Sequence, residues 1–263
     1  LKMPSTYEFE ELGKKEKMRQ TLTTEHGSSK KNTSLNSKKG IVPYGQNRVK
    51  LKYSKNETDY INGTWINLPE TEGAYDTLIV HPYLPSSQLG LIVSQAPNGT
   101  TMDHHLLMIY ENNVDIAIAI SSKTRLQLTG EVTASVSQKL IAKHVIENYL
   151  TKETWDFNTT RGRVKRVVYY HFLWSASKQP STDDLEKMTK AITFVRREMD
   201  TSKDTINMLV HDDNGGVSQA AIFVALLNVF EEIDQASLAP ACANTIRVTQ
   251  EDQTLDIFGV VDN

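Results

Sequence analysis

"VHDDNGGVSQAAIF", residues 210–223, decides how this chain is read. A short apolar stretch, 206–210, runs into a loop with two adjacent glycines, and an almost wholly apolar segment follows. Strand, tight glycine loop and buried helix start together make an anion cradle, with backbone N–H groups and the helix dipole turned toward the charge. This loop nevertheless carries two carboxylates, Asp212 and Asp213, and no lysine or arginine. A loop shaped for phosphate therefore holds charge of the phosphate's own sign.

Outward from the loop, the pattern predicts an α/β chain. Residues 114–120, "VDIAIAI", are apolar at every second position and read as a strand, as do 89–97, 135–146, 164–174 and 206–210. A helix is expected over 100–113, capped by Thr100 or Thr101, with Leu106, Leu107 and Tyr110 inward. "STDDLEKMTKAITFVRREM" (181–199) is a second helix, opened by a Ser181–Asp184 capping box. Its inward stripe is Leu185, Met188, Ile192, Val195 and Met199. A third helix is expected over about 218–235. Strands and helices interleave without a regular βαβ period, which predicts a single mixed-sheet domain over residues 1–263. Within it, 1–22 is expected as an N-terminal helix, 23–40 as a flexible basic loop, and 41–263 as the core.

Composition narrows the function. A net charge of −3 argues against nucleic-acid or membrane-surface binding as the main role. One cysteine, Cys242, cannot pair internally and favours a reducing compartment over the secreted setting suggested by four acceptor triplets at Asn56, Asn62, Asn98 and Asn158. His104 and His105 are neighbours, so on a helix they point about 100° apart and cannot share a metal. No other histidine spacing suggests a ligand set, and neither a metal nor a cofactor is expected.

Six fragments in order carry a resemblance: "IVPYGQNRVKL" (41–51), "DYINGTWI" (59–66), "SQAPNGTTMDHHLLMIYENN" (94–113), "YYHFLWSASKQP" (169–180), "VHDDNGGVSQAAIF" and "TQEDQ" (249–253). Together they resemble successive motifs of the classical protein tyrosine phosphatase fold, a highly twisted mixed β-sheet flanked by helices on both sides. Between "NVFEEID" and "TQEDQ" the chain is shorter than that family usually is. Active members of the family carry His-Cys-Ser-Ala-Gly-Val-Gly-Arg-Thr at the phosphate loop. Those nine positions here are His211, Asp212, Asp213, Asn214, Gly215, Gly216, Val217, Ser218 and Gln219. The resemblance thus puts Asp212 at the nucleophile and Ser218 at the phosphate-clamping arginine. It puts Ala176 at the general acid, Lys38 at the aromatic recognition loop and Gln253 at the water-positioning glutamine.

With nucleophile, clamp, acid and recognition wall all replaced, the resemblance implies a catalytically inactive domain. It is similar to the second, membrane-distal domain of gamma/zeta-type receptor phosphatases, which implies a neuronal, axon-guidance setting. The implied place is the cytoplasmic side of the plasma membrane, tethered by a transmembrane segment outside this sequence. The implied partners are the active first phosphatase domain, a second copy, and cytoplasmic signalling proteins. A phosphotyrosine-trapping module and a residually active phosphatase are the alternatives. A metal-assisted aspartyl phosphatase would want D-x-D, and position 214 is Asn. For the carboxylates themselves two readings stand: Asp212 or Asp213 fills the loop as a built-in anion, or Asp212 is a plain helix cap. A carboxylate in the loop would oppose an incoming dianion by around 4 kcal/mol for charges about 4 Å apart at an effective dielectric of 20.

Overall fold

Residues 116–120 set the geometry of the centre. In strand β4 (Ile116–Ser121) the three isoleucines face one side of the sheet and Ala117 and Ala119 the other, as the alternation predicts. The structure, a computed structural model, describes residues 23–52, 58–67, 89–121, 136–159, 164–174, 181–199 and 205–238. Around β4 lie β1 (Arg48–Lys50), β2 (Tyr60–Asn67), β3 (Leu89–Gln95), β5 (Val136–Glu147), β6 (Leu150–Thr159), β7 (Val164–Leu173) and β8 (Ile206–Asp212). They form one eight-stranded mixed sheet in the order β1-β2-β3-β8-β4-β7-β6-β5. The middle, β3-β8-β4-β7, is parallel. Antiparallel pairings add β2 and β1 on one side and β6 and β5 on the other.

Helices cover both faces. On the isoleucine side, Met188, Ile192 and Val195 of α3 (Thr182–Met199) and Phe223, Val224 and Leu227 of α4 (Gln219–Leu238) complete one core. On the alanine side, Leu106 to Ile109 of α2 (Met102–Glu111) pack with Trp155, Phe157, Val167 and Tyr169 in a second core. The α3 capping box forms as read: Asp184 N–H donates to Ser181 Oγ at 3.1 Å, and Ser181 N–H donates to Asp184 Oδ2 at 3.0 Å. The start of α2 is held by Asn98 instead of a threonine side chain, its Oδ1 accepting from the N–H and hydroxyl of both Thr100 and Thr101.

Three expectations are corrected. Strand β6 is not visible in the alternation, because the inward positions of "LTKETWDFNT" run Glu153, Trp155, Phe157 and the first of these is a carboxylate. Leu185, expected in the inward stripe of α3, is 38% exposed. Residues 23–40, expected as a flexible basic loop, are built into the fold through α1 (Glu25–Ser28), a 3-10 turn at Thr33–Leu35 and a set of side-chain anchors. Buried Asn32 donates to the His26 carbonyl at 2.8 Å and accepts from Thr58 Oγ1 at 2.8 Å. Asn36 Oδ1 accepts from the Tyr60 hydroxyl at 2.6 Å and from Asn62 Nδ2 at 3.0 Å. Gln95 accepts from Ser37 N–H at 2.8 Å and donates to the Leu35 carbonyl at 2.7 Å. The polar residues that made the segment read as a loop are the ones that hold it. The expected helix at 1–22 and the shortened region before "TQEDQ" lie outside the described residues.

Candidate functional site

Strand β8 ends at Asp212, level with Gln95 on β3 and Ile120 on β4. The loop that follows therefore sits at the carboxyl edge of the parallel strands, where open α/β sheets place their ligands. Gly215 and Gly216 both adopt φ of 85°, which side chains with a Cβ rarely tolerate. A Cβ on Gly216 would also lie 2.7 Å from Val93 Cγ1 and 3.0 Å from the Ser94 carbonyl oxygen, so the loop backbone rests directly on β3. Gly215 in turn lies under Ile41, whose Cγ2 would be 2.9 Å from its Cβ.

Into this ring of backbone points the side chain of Asp212, 0% exposed. Its Oδ1 accepts from the N–H of Asn214 at 2.9 Å and of Gly216 at 2.7 Å. Its Oδ2 accepts from Ser218 N–H at 3.3 Å and from Ala220 N–H at 2.9 Å. A plain helix cap accounts for the bonds to Ser218 and Ala220 but not for those to Asn214 and Gly216. Asp212 does both jobs: it caps α4 and it fills the loop.

Asp213 turns the other way. It is exposed and accepts from Ser121 Oγ at 2.6 Å. Asn214 Nδ2 donates to Gln219 Oε1 at 3.2 Å and closes the loop sideways. Val217 is 61% exposed, and Ser218, which the resemblance puts at the clamp, is half-buried. Among the described residues no lysine or arginine hydrogen-bonds to the loop. Lys38 is exposed on the anchored 23–40 segment. Ala176 and Gln253 lie outside the described residues.

Beneath the loop is a buried polar cluster that sequence reading left scattered. The Tyr169 hydroxyl lies between two imidazoles, bonded to His211 Nε2 on one side and 3.3 Å from His105 Nε2 on the other. One hydroxyl can donate to one ring and accept from the other. Burial holds both rings neutral, pushing His105 down to about 3 and His211 well below the usual imidazole value, the neighbouring histidines adding to the latter. Tyr169 also stacks on His171 at 5.0 Å, and His171 Nε2 meets Glu153 Oε2 at 3.0 Å. The register explains the meeting. Ala119 of β4 stands level with His211 on β8 and His171 on β7, and Ala117 with Tyr169, so the small methyl groups leave room for larger side chains to join across the strand.

The loop is an anion cradle at the carboxyl edge of a parallel sheet core, with its own carboxylate inside. The sequence profile described as Protein-tyrosine phosphatase matches residues 32–254, and the chain belongs to that family. A search of curated proteins returned no match. Similar solved structures include PTPN18 in complex with HER2-pY1196 phosphopeptides, with TM-score 0.70 and 18% identity, covering 89% of this chain and 79% of that one. The crystal structure of the catalytic domain of human protein tyrosine phosphatase non-receptor type 18 is similar with TM-score 0.69 and 19% identity, covering 89% and 82%. At these identities the likeness shows the fold, and the chemistry rests on the site.

Among the described residues no helix is long and apolar enough to cross a membrane, and no group of His, Cys, Asp and Glu could hold a metal ion.

Proposed function

We propose that this chain is a catalytically inactive tyrosine-phosphatase domain, and that it serves as the second, membrane-distal domain of a gamma/zeta-like receptor phosphatase. Its work is to regulate the active first domain and to recruit cytoplasmic signalling proteins at the inner face of the plasma membrane. The observation that carries the inactive reading is the Asp212 carboxylate, buried and bonded to three loop N–H groups and one in the first turn of α4. In an active cradle those donors receive the phosphoryl oxygens. Here both oxygens of Asp212 occupy them, and an incoming dianion meets like charge.

Asp212 could attack phosphorus only by giving up its bonds, with Ser218 in place of a bidentate cation. The resemblance adds Ala176 at the acid position, and loss of a general acid alone typically costs about 10²–10⁴-fold. The similar PTPN18 structures include a catalytic domain, but at 19% identity they carry no information on these side chains. The replaced residues also separate this reading from a phosphotyrosine trap, which needs the cationic clamp to persist.

An aryl phosphate turnover assay tests the reading. The wild-type protein is expected to be silent, and the variant D212C/S218R/A176D to turn over. Wild-type hydrolysis that disappears in Asp212→Ala would sink it. The place within a receptor is tested by sequencing the transcript upstream of the Leu1 codon: an upstream phosphatase domain and membrane span are expected, and an open reading frame lacking both would refute it.

A further inference from the structure

The anchored 23–40 segment carries four lysines, Lys30, Lys31, Lys38 and Lys39, all exposed. Among the described residues none of their ammonium groups makes an ion pair or side-chain hydrogen bond. The segment is held by Asn32, Asn36 and Gln95, so the fold makes no use of these charges. In a chain of net charge −3 they concentrate positive charge on one short segment, whose only acidic residue is Glu25.

The Lys38–Ile41 turn places the second pair beside the loop. Ile41 N–H donates to the Lys38 carbonyl at 3.4 Å, and Ile41 rests on Gly215. The Lys38–Ile41 turn therefore leans on the loop, and Lys38 and Lys39 stand at its rim while Asp212 occupies its floor. A cationic rim over a filled floor attracts an anion to the surface and gives it no seat inside.

We infer that Lys30, Lys31, Lys38 and Lys39 form a docking surface for an acidic protein segment, an extended stretch rich in Asp and Glu that needs no phosphate. This rests on the inactive reading of the loop, since an open floor would select a phosphate instead. A membrane surface fits less well. The only large apolar side chain between residues 23 and 40 is half-buried Leu35, so the segment presents no anchor to insert between lipids. Nor does it carry a phenylalanine, tyrosine or tryptophan on which a nucleic-acid base could stack. Lysines on a pinned scaffold keep their spacing, which suits a partner with regularly placed carboxylates.

The test is fluorescence anisotropy of a labelled peptide of alternating Glu and Ser, against wild type and K30E/K31E/K38E/K39E. Saturable binding is expected, weakened at least about tenfold between ~50 and ~500 mM sodium chloride. The quadruple variant is expected to bind at least about tenfold more weakly. Its melting curve is expected to match wild type; should it fail to fold, the pairs K30E/K31E and K38E/K39E each carry the test, with about a threefold loss apiece. Absence of saturable binding, equal binding by the folded variants, or tighter binding to phosphatidylserine vesicles or a single-stranded oligonucleotide would overturn the inference. Failure with the aryl phosphate assay still silent overturns this inference alone. Binding that requires phosphotyrosine on the peptide overturns the inactive-loop reading as well.

Discussion

Replacing Asp212 by alanine should turn a filled loop into an empty one. Four N–H donors lose their acceptor, and the bonds of Gly216 and Ala220 are buried while those of Asn214 and Ser218 are only partly so. A stranded buried donor costs about 1–3 kcal/mol, and the half-exposed pair can turn to water. The expected loss of folding stability is therefore about 2–6 kcal/mol, read by urea denaturation in a buffer free of oxyanions. The space left is lined by N–H groups at a helix N-terminus, so sulfate should enter and restore stability. An anion at a hundred times its dissociation constant returns about 2.7 kcal/mol. Wild type, with its seat taken, should gain nothing specific. A loss below about 0.5 kcal/mol, or equal stabilisation of both proteins by sulfate, would refute the account of Asp212 as a resident anion.

Acid should weaken the fold through its buried histidines. His104, His105 and His211 are all held below the ordinary imidazole value by burial, so below about pH 6.5 the unfolded chain takes up protons that the folded chain refuses. Stability is then full above that pH and falls as pH drops from it, by up to about 1.4 kcal/mol per pH unit for each histidine, and His105→Gln should flatten the slope in urea titrations. Gly216→Ala should cost about 2–3 kcal/mol in the same assay, from positive φ and the clash with Val93 and Ser94. Gly99→Ala, with open space where the Cβ would sit, should be nearly neutral. Ser181→Ala removes the acceptor for Asp184 N–H and should lower stability by about 1 kcal/mol, seen as a shift in melting temperature.

The loop was legible because its chemistry is local. Residues 210–219 form one strand end and one helix start, and the order of residue types along them states both the cradle and its wrong charge. Which of the two aspartates turns inward was not legible, since that depends on where β3 and β4 stand beside β8. The cluster of His105, Tyr169 and His211 could not be assembled from sequence either. Its members come from α2, β7 and β8, and only the parallel register across Ala117 and Ala119 brings them together. Strand β6 escaped because a buried Glu153, bonded through Oε2 to His171 and the Trp155 indole, imitates an exposed position in any hydrophobicity pattern. The anchors of residues 23–40 escaped for the converse reason: Asn32 and Asn36 are polar groups whose partners lie on β2 and at Thr58, two residues before it.

The insertion of β8 between β3 and β4 dictates an order of birth. On the ribosome, β3 and β4 emerge with their facing edges unpaired, because the strand that belongs between them ends at Asp212, long after Ser121. At typical synthesis rates of about 5–20 residues per second, that gap stays open for roughly 5–20 seconds. For that interval the nascent chain offers two bare apolar strand edges to any neighbour, and it is a natural client for whatever chaperone waits at the exit tunnel.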